Sequence, residues 1–307
     1  MKSYRAVGVA FAIAGILAFS FRPIWIKLAY AVPTETGHPV SPVTLLFLRM
    51  VLSLPFFVAI ALWLRRSAST TTELSARDWA AIAGLGFVGY YLASFLDFLG
   101  LQYVGAGLGR LILFLYPTMV LLLSFLFLRK SPTRRELAAL VVSYSGVALV
   151  LSNRIGGESI ENRLFLLGVL FIFASALSYA VYLVAGSQLV KRVGSMRFTA
   201  YTMIISTFPA VIQFFLMEPL SALQLPGAVW VYAIVMATFS TVLPVFLQAE
   251  ALHRIGANQF ALLGALGPLS TAFLSALGLE EAFGPLQMLG AALVIAGVML
   301  VSVKKGT

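Results

Sequence analysis

Charge is what this sequence has least of. Only 10% of its 307 residues are Asp, Glu, Lys or Arg, where a soluble domain carries about 25%. Too few charges remain to coat a globule of this size, so most of the surface must face lipid. Cysteine is absent, which excludes disulfides and thiolate metal sites and leaves the redox compartment unread. His38 and His253 are the only histidines, and both fall outside the middle of any apolar run. No Walker-type phosphate loop is present. The glycine-rich runs at 84–89 and 105–109 follow no strand pattern and read as close helix packing. Short alternating segments of the kind that build a membrane barrel are missing too.

What is abundant is apolar surface, 61% of residues with a mean hydropathy of +0.98. Apolar segments of roughly 20 residues cross a bilayer as helices with every backbone group satisfied internally. Runs bounded by charge, Pro or Gly predict spans near 6–30, 42–64, 79–99, 106–128 and 134–151. A second set falls near 163–190, 197–217, 228–250, 256–278 and 285–303. The expected fold is an all-α integral membrane protein of ten transmembrane helices. The first run, preceded by Lys2 and Arg5, is too long for a signal peptide and lacks a small-residue cleavage site, so it is kept as a span.

A net charge of +10 would suggest nucleic acid in a soluble protein; here its distribution sets orientation. One set of alternate loops holds Lys2, Arg5, Arg65, Arg66, Arg77, Arg129, Lys130, Arg134, Arg135, Lys191, Arg192, Arg197, Arg254, Lys304 and Lys305, which is 15. The other holds Arg154 and Arg163, and the remaining four of the 21 cations lie within spans. The positive-inside rule then predicts cytoplasmic termini.

Shifted by 151 residues, Trp79–Val150 aligns without a gap on Trp230–Val301. Trp79 meets Trp230, Gly105-Ala106 meets Gly256-Ala257, Pro117 meets Pro268, and Gly146-Val147 meets Gly297-Val298. Matched Trp, Pro and Gly are not cheap in apolar sequence. Two units are therefore expected, 1–152 and 153–307. Each holds an odd number of spans, so the second must be inverted, an arrangement secondary transporters use for alternating access.

Ionisable residues within spans are costly and normally face a bundle interior or a wet cavity. In the predicted orientation Arg22, Lys27, Arg49, Asp97 and Arg110 gather toward the outer side. One reading is a funnel for a carboxylate, with Asp97 available to an ammonium or a proton. The other is snorkelling together with an Asp97–Arg110 pair stapling one hairpin. Residues spaced i, i+3, i+4 and i+7 share a face, which carries Asp97 inward through Ser94 to Tyr90, and Arg22 through Phe19. The sixth span shows a stripe of Ser175, Ser178, Tyr179 and Tyr182, and the eighth offers Thr238, Thr241 and Gln248. Such stripes are either ligand groups near midplane or hydrogen bonds between helices. Pro117 and Pro268 are expected to kink their spans, as hinges or as packing features. Glu250, with His253 and Arg254, marks an inner gate or a plain interfacial position.

The sequence resembles the EamA-type branch of the drug/metabolite transporter superfamily. The resemblance is carried by LQYVGAGLGRLILFLYPTMVLLLSFLFLRKSPTRRELAALVVSYSGVALVLS and by LHRIGANQFALLGALGPLSTAFLSALGLEEAFGPLQMLGAALVIAGVMLVS, with Lys27 and Arg49 in the opening helices. Arg129-Lys130 stands where the family usually has a Glu, whereas Glu280-Glu281 keeps the acid in the second unit; Arg110 replaces a small or apolar residue. The resemblance is nearest to bacterial aromatic amino-acid exporters. It implies a non-enzymatic, multi-pass protein of the bacterial inner membrane that exports amino acids without cofactor or metal. Its partners would be its substrate and membrane lipid, not nucleic acid. Efflux of lipophilic cations is the rival, but it calls for a midplane acid, and no Asp or Glu lies there.

Overall fold

The computed structural model describes residues 2–34, 37–67, 74–128, 133–152, 160–264, 266–281 and 284–302, which form helices and connecting turns. Of the cations counted for orientation, Arg129, Lys130, Arg154, Lys304 and Lys305 lie outside these residues. The first half comprises α1 (Lys2–Ser20), α2 (Arg22–Ala31), α3 (Pro42–Ser67), α4 (Ala76–Gly86), α5 (Ala93–Leu101), α6 (Ala106–Leu113), α7 (Tyr116–Leu128) and α8 (Arg134–Leu151). The second comprises α9 (Ile160–Val193), α10 (Ser195–Met217), α11 (Gly227–Ala237), α12 (Leu243–Gly264), α13 (Leu266–Gly278) and α14 (Pro285–Ser302). Among the described residues seven helical stretches are long and apolar enough to cross a membrane, and Leu266–Gly278 and Pro285–Leu300 are shorter apolar helices.

Several predicted spans are broken, each for a local reason. Pro23 sits at the start of α2; it has no N–H to give, and its ring collides with the carbonyl four residues back. The first predicted span, 6–30, accordingly turns at Phe21 instead of running continuously. Pro117 lies in the first turn of α7, just after α6 ends at Leu113, and α12 leaves helical geometry at Gly256, where φ is 74°. Pro55 and Pro209, by contrast, stay inside the unbroken α3 and α10. Between α4 and α5 the chain winds as a π-helix over Phe87–Leu92, and between α11 and α12 over Thr238–Val242.

Helix ends follow simple capping rules. Ser75 accepts from Asp78 N while Asp78 accepts from Ser75 N, and Thr133 and Glu136 repeat the reciprocal box at α8. At α14 only half of it remains, Gly284 N donating to Gln287 Oε1 at 2.9 Å. The N-cap of α6 is Gly105, which has no side chain to offer. Glu281 supplies it from across the molecule, accepting from Ala106 N at 2.8 Å and Gly107 N at 3.2 Å. A carboxylate there satisfies orphan N–H groups and meets the positive end of the helix dipole.

The packing pairs are α1 with α12, α3 with α10, α5 with α9, and α8 with α14. Glycines let these backbones close, as is usual where lipid gives no hydrophobic drive between helices. A β-carbon on Gly146 would lie 2.7 Å from the Gly290 carbonyl, and one on Gly297 2.7 Å from that of Ala139. Gly290 is 151 residues on from Ala139, and Gly297 from Gly146. A β-carbon on Gly8 would lie 2.7 Å from Arg254 and Ile255, and one on Gly168 2.8 Å from Tyr103 and Val104. These neighbours again differ by 151. The two π-helices begin 151 residues apart, at Phe87 and Thr238.

Candidate functional site

The broken helices surround a partly open cavity of about 220 Å³. Its wall draws on both halves: Phe19 and Arg22 beside the α1–α2 break, Arg49 of α3, Tyr90 of the first π-helix, Ser94 of α5, and Arg110 of α6. Facing them are Ser175 and Tyr179 of α9, Met203 of α10, Thr241 of the second π-helix, and Gln248 of α12. The first, third, fourth, sixth, eighth and ninth predicted spans thus all reach the cavity, together with α3 and α10.

The charges group differently from the sequence expectation. Asp97 does not pair with Arg110 along its own hairpin. It pairs with Arg22, 75 positions away, at 2.8 Å, with side chains 5% and 11% exposed. The turn at Phe21 ends α1 and starts α2 at Arg22, whose guanidinium reaches α5. Arg49 is only 2% exposed. Its guanidinium donates to the Ser94 hydroxyl at 2.9 Å and packs 5.5 Å from the centre of the Phe98 ring. Arg110 lies over one face of Phe19 at 4.3 Å, and Arg22 lies 4.8 Å from the same ring, within cation–π range. The Nε atoms of Arg22, Arg49 and Arg110 are all buried without a hydrogen-bond partner. No Asp or Glu lines the cavity among the described residues.

The aromatic wall is layered. Tyr116 meets Tyr179 edge-on at 5.2 Å, and Tyr90 meets Tyr182 edge-on at 5.2 Å. Tyr182 itself stands outside the cavity, stacked between Tyr179 at 5.7 Å and Phe198 at 5.5 Å. It braces the lining tyrosines instead of touching the space they enclose. Ser178 also stands outside, its hydroxyl donating to the Val88 carbonyl at 2.7 Å. Ser175 reaches the wall, but its hydroxyl donates to the Ala93 carbonyl at 2.6 Å. For these two serines the contact is a hydrogen bond between helices. Both accepting carbonyls belong to the π-helix or the residue after it, where wider winding disturbs the usual backbone partners. Thr241 of the second π-helix donates back along its own helical stretch, to the Met236 carbonyl of α11 at 2.9 Å.

Lys27 on α2 is half-buried and away from the wall, and so is Glu250 on α12, which pairs with Arg254 at 2.6 Å. Beside that pair, Tyr4 Oη lies 3.2 Å from His253 Nδ1, and Arg254 lies 4.8 Å from the Tyr4 ring centre. Pro117 follows the break between α6 and α7, and neither it nor Pro268 lines the cavity. Tyr116 lines it without having been singled out from the sequence. The available signal was its place immediately before Pro117, at a break that turns it inward. Among the described residues no three His, Cys, Asp or Glu converge as a metal site.

Comparison with known proteins agrees with this architecture. The EamA-like transporter family matches residues 6–152 and again 166–303. The chain is 32% identical over 293 residues to the uncharacterized transporter YcbK of Bacillus subtilis (strain 168), covering 93% of this chain and 89% of that one. It is 30% identical over 219 residues to the uncharacterized transporter YyaM of the same organism, covering 71% of each. A solved crystal structure superposes with a TM-score of 0.65 at 18% identity, covering 97% of both chains, which speaks for the fold alone. Helices long and apolar enough for a bilayer, a cavity between them lined by arginines and aromatic side chains, and two matches to one family lead to one conclusion: this multi-pass membrane protein belongs to the EamA-like transporter family.

Proposed function

We propose that the chain is a secondary transporter that exports amino acids, aromatic and other apolar ones included, across the bacterial inner membrane. It works by alternating access between two inverted five-helix halves, 1–152 and 153–307, with ten spans and both termini cytoplasmic. The observation that carries the substrate assignment is the cavity itself, where three guanidiniums share one small space with tyrosine and phenylalanine faces. A substrate carboxylate finds charge-assisted donors there, and an apolar side chain finds aromatic area with hydroxyl handles. Selectivity among side chains is loose, since a hydrophobic pocket separates one methylene by only about 1–3 kcal/mol.

The inverted arrangement is supported by the reciprocal glycine contacts of α8 and α14. There residue i of one half meets residue j of the other and the reverse, the signature of a two-fold relation. The helix break before Pro117 and the non-helical Gly256 of α12 suit hinges, one in each half. Efflux of lipophilic cations is disfavoured, because a cation entering this cavity meets arginines and no carboxylate on its wall. The test is counterflow of labelled amino acids into proteoliposomes, with lipophilic cations and sugars as competitors. Accumulation of phenylalanine or tryptophan, inhibited by other apolar amino acids and not by cations, is the expected result. Inhibition by cations alone would overturn the proposal.

A further inference from the structure

The charges around the cavity do not balance. Among the described residues the ion pairs are Arg22–Asp97, Arg192–Asp78 and Arg254–Glu250. Arg49 and Arg110 therefore line the cavity with no carboxylate of their own. The partners of Arg49 are neutral, the Ser94 hydroxyl and the Met50 sulfur. Arg110 rests on Phe19 with its Nε buried and unbonded. A desolvated cation without a counter-charge is unfavourable, and attraction to an anion inside a low-dielectric pocket is strong. The empty site thus carries two uncompensated positive charges.

An amino acid brings one carboxylate and one ammonium, so as a zwitterion it neutralises nothing in net charge. Its ammonium would need an acceptor. The hydroxyls of Ser94, Thr241 and Ser175 offer it only neutral lone pairs, the first while accepting from Arg49 and the others while donating to backbone carbonyls. Gln248 and the tyrosine hydroxyls remain, all uncharged. We infer that the cavity binds organic carboxylates of net negative charge, with an apolar or aromatic body, more tightly than their α-amino counterparts. Arg49 and Arg110 hold the carboxylate, and Arg22 is held back by Asp97. This inference rests on the reading of the cavity as the transport site and narrows its substrate class.

Three probes share one skeleton and differ only in charge: 3-phenylpropionate, L-phenylalanine and 2-phenylethylamine. Their affinities for the purified full-length protein in lipid nanodiscs are measured by calorimetric titration. The expected order is 3-phenylpropionate tightest, phenylalanine about tenfold or more weaker, and phenylethylamine without measurable binding. That step is the scale of one charge-assisted interaction. Arg110→Gln and Arg49→Gln should each weaken 3-phenylpropionate by about tenfold or more, whereas Arg110→Lys keeps the order of the three probes. If neither glutamine variant is recovered folded, the order in the unaltered protein decides. Phenylalanine binding as tightly as 3-phenylpropionate, or tighter, overturns this inference and leaves amino-acid export standing. Binding of phenylethylamine alone, or of none of the three, overturns both.

Discussion

Replacing Asp97 by asparagine tests the charge arrangement most directly. The Arg22–Asp97 pair is 2.8 Å long, with 11% and 5% of the two side chains exposed, so solvent screens it little. Removing one member of a buried pair costs about 3–5 kcal/mol, chiefly because the other is left uncompensated. The two single variants should not be equal here. Arg49 and Arg110 both lie within electrostatic reach of Arg22 and Asp97. After Arg22→Gln, Asp97 still has those two guanidiniums nearby, and the loss should fall at or below the lower end of that range. After Asp97→Asn, three guanidiniums face one another with no acid, and the loss should reach the upper end. The double variant removes both charges and should recover at least half of the Asp97→Asn loss. The assay is equilibrium unfolding of purified protein in mixed micelles of dodecyl maltoside and dodecyl sulfate, with counterflow as the functional readout. Additive losses in the double variant, or an Arg110→Gln change that rescues Asp97→Asn while Arg22→Gln does not, would refute the pairing.

Tyr90→Ala or Tyr179→Ala should weaken phenylalanine and tryptophan counterflow more than alanine counterflow, and Tyr→Phe much less, because the ring supplies most of the contact; equal rates for all substrates would remove these tyrosines from the site. Gly146→Ala and Gly297→Ala should each destabilise by about 1–3 kcal/mol through overpacking, since their β-carbons would press on backbone carbonyls of the facing helix. Gly84→Ala, with nothing within 4 Å, should instead stabilise by about 0.5–1 kcal/mol, and unfolding midpoints of the three variants check the contrast. Glu281→Ala should cost about 1–2 kcal/mol by uncapping α6, measured in the same mixed micelles. On this cysteine-free chain, single cysteines at positions 37, 102 and 222 should react with an impermeant maleimide from outside, and one at 194 only after permeabilisation; the reverse pattern overturns the orientation.

The sequence by itself determined the solvent, the element and the family. Low charge required lipid, lipid required helices, and two matched segments with Trp, Pro and Gly at one spacing pointed to a transporter family. Capping by Ser75 with Asp78 is local chemistry too, yet the apolar run puts that start at 79 and the helix begins at Ala76. That arginines lie inside the spans was legible as well, since a charge is conspicuous in any apolar run. Which arginine met Asp97 was not. Proximity in sequence favoured Arg110, 13 positions away, and the fold chose Arg22. Nor did a sequence rule separate Pro23, which breaks its span, from Pro55 and Pro209, which do not.

The physical reason is that lipid tails are as apolar as leucine. In water a helix declares its buried face by an apolar stripe, but here the lipid-facing and core-facing sides are both apolar. The rotation of each helix about its axis is therefore decided by packing alone. Gly89 against the Tyr182 ring sets how the first π-helix meets α9, and so which of Tyr90, Tyr179 and Tyr182 reaches the cavity. Only the tertiary structure carries that information, and it put Tyr90 and Tyr179 on the wall and Tyr182 behind them.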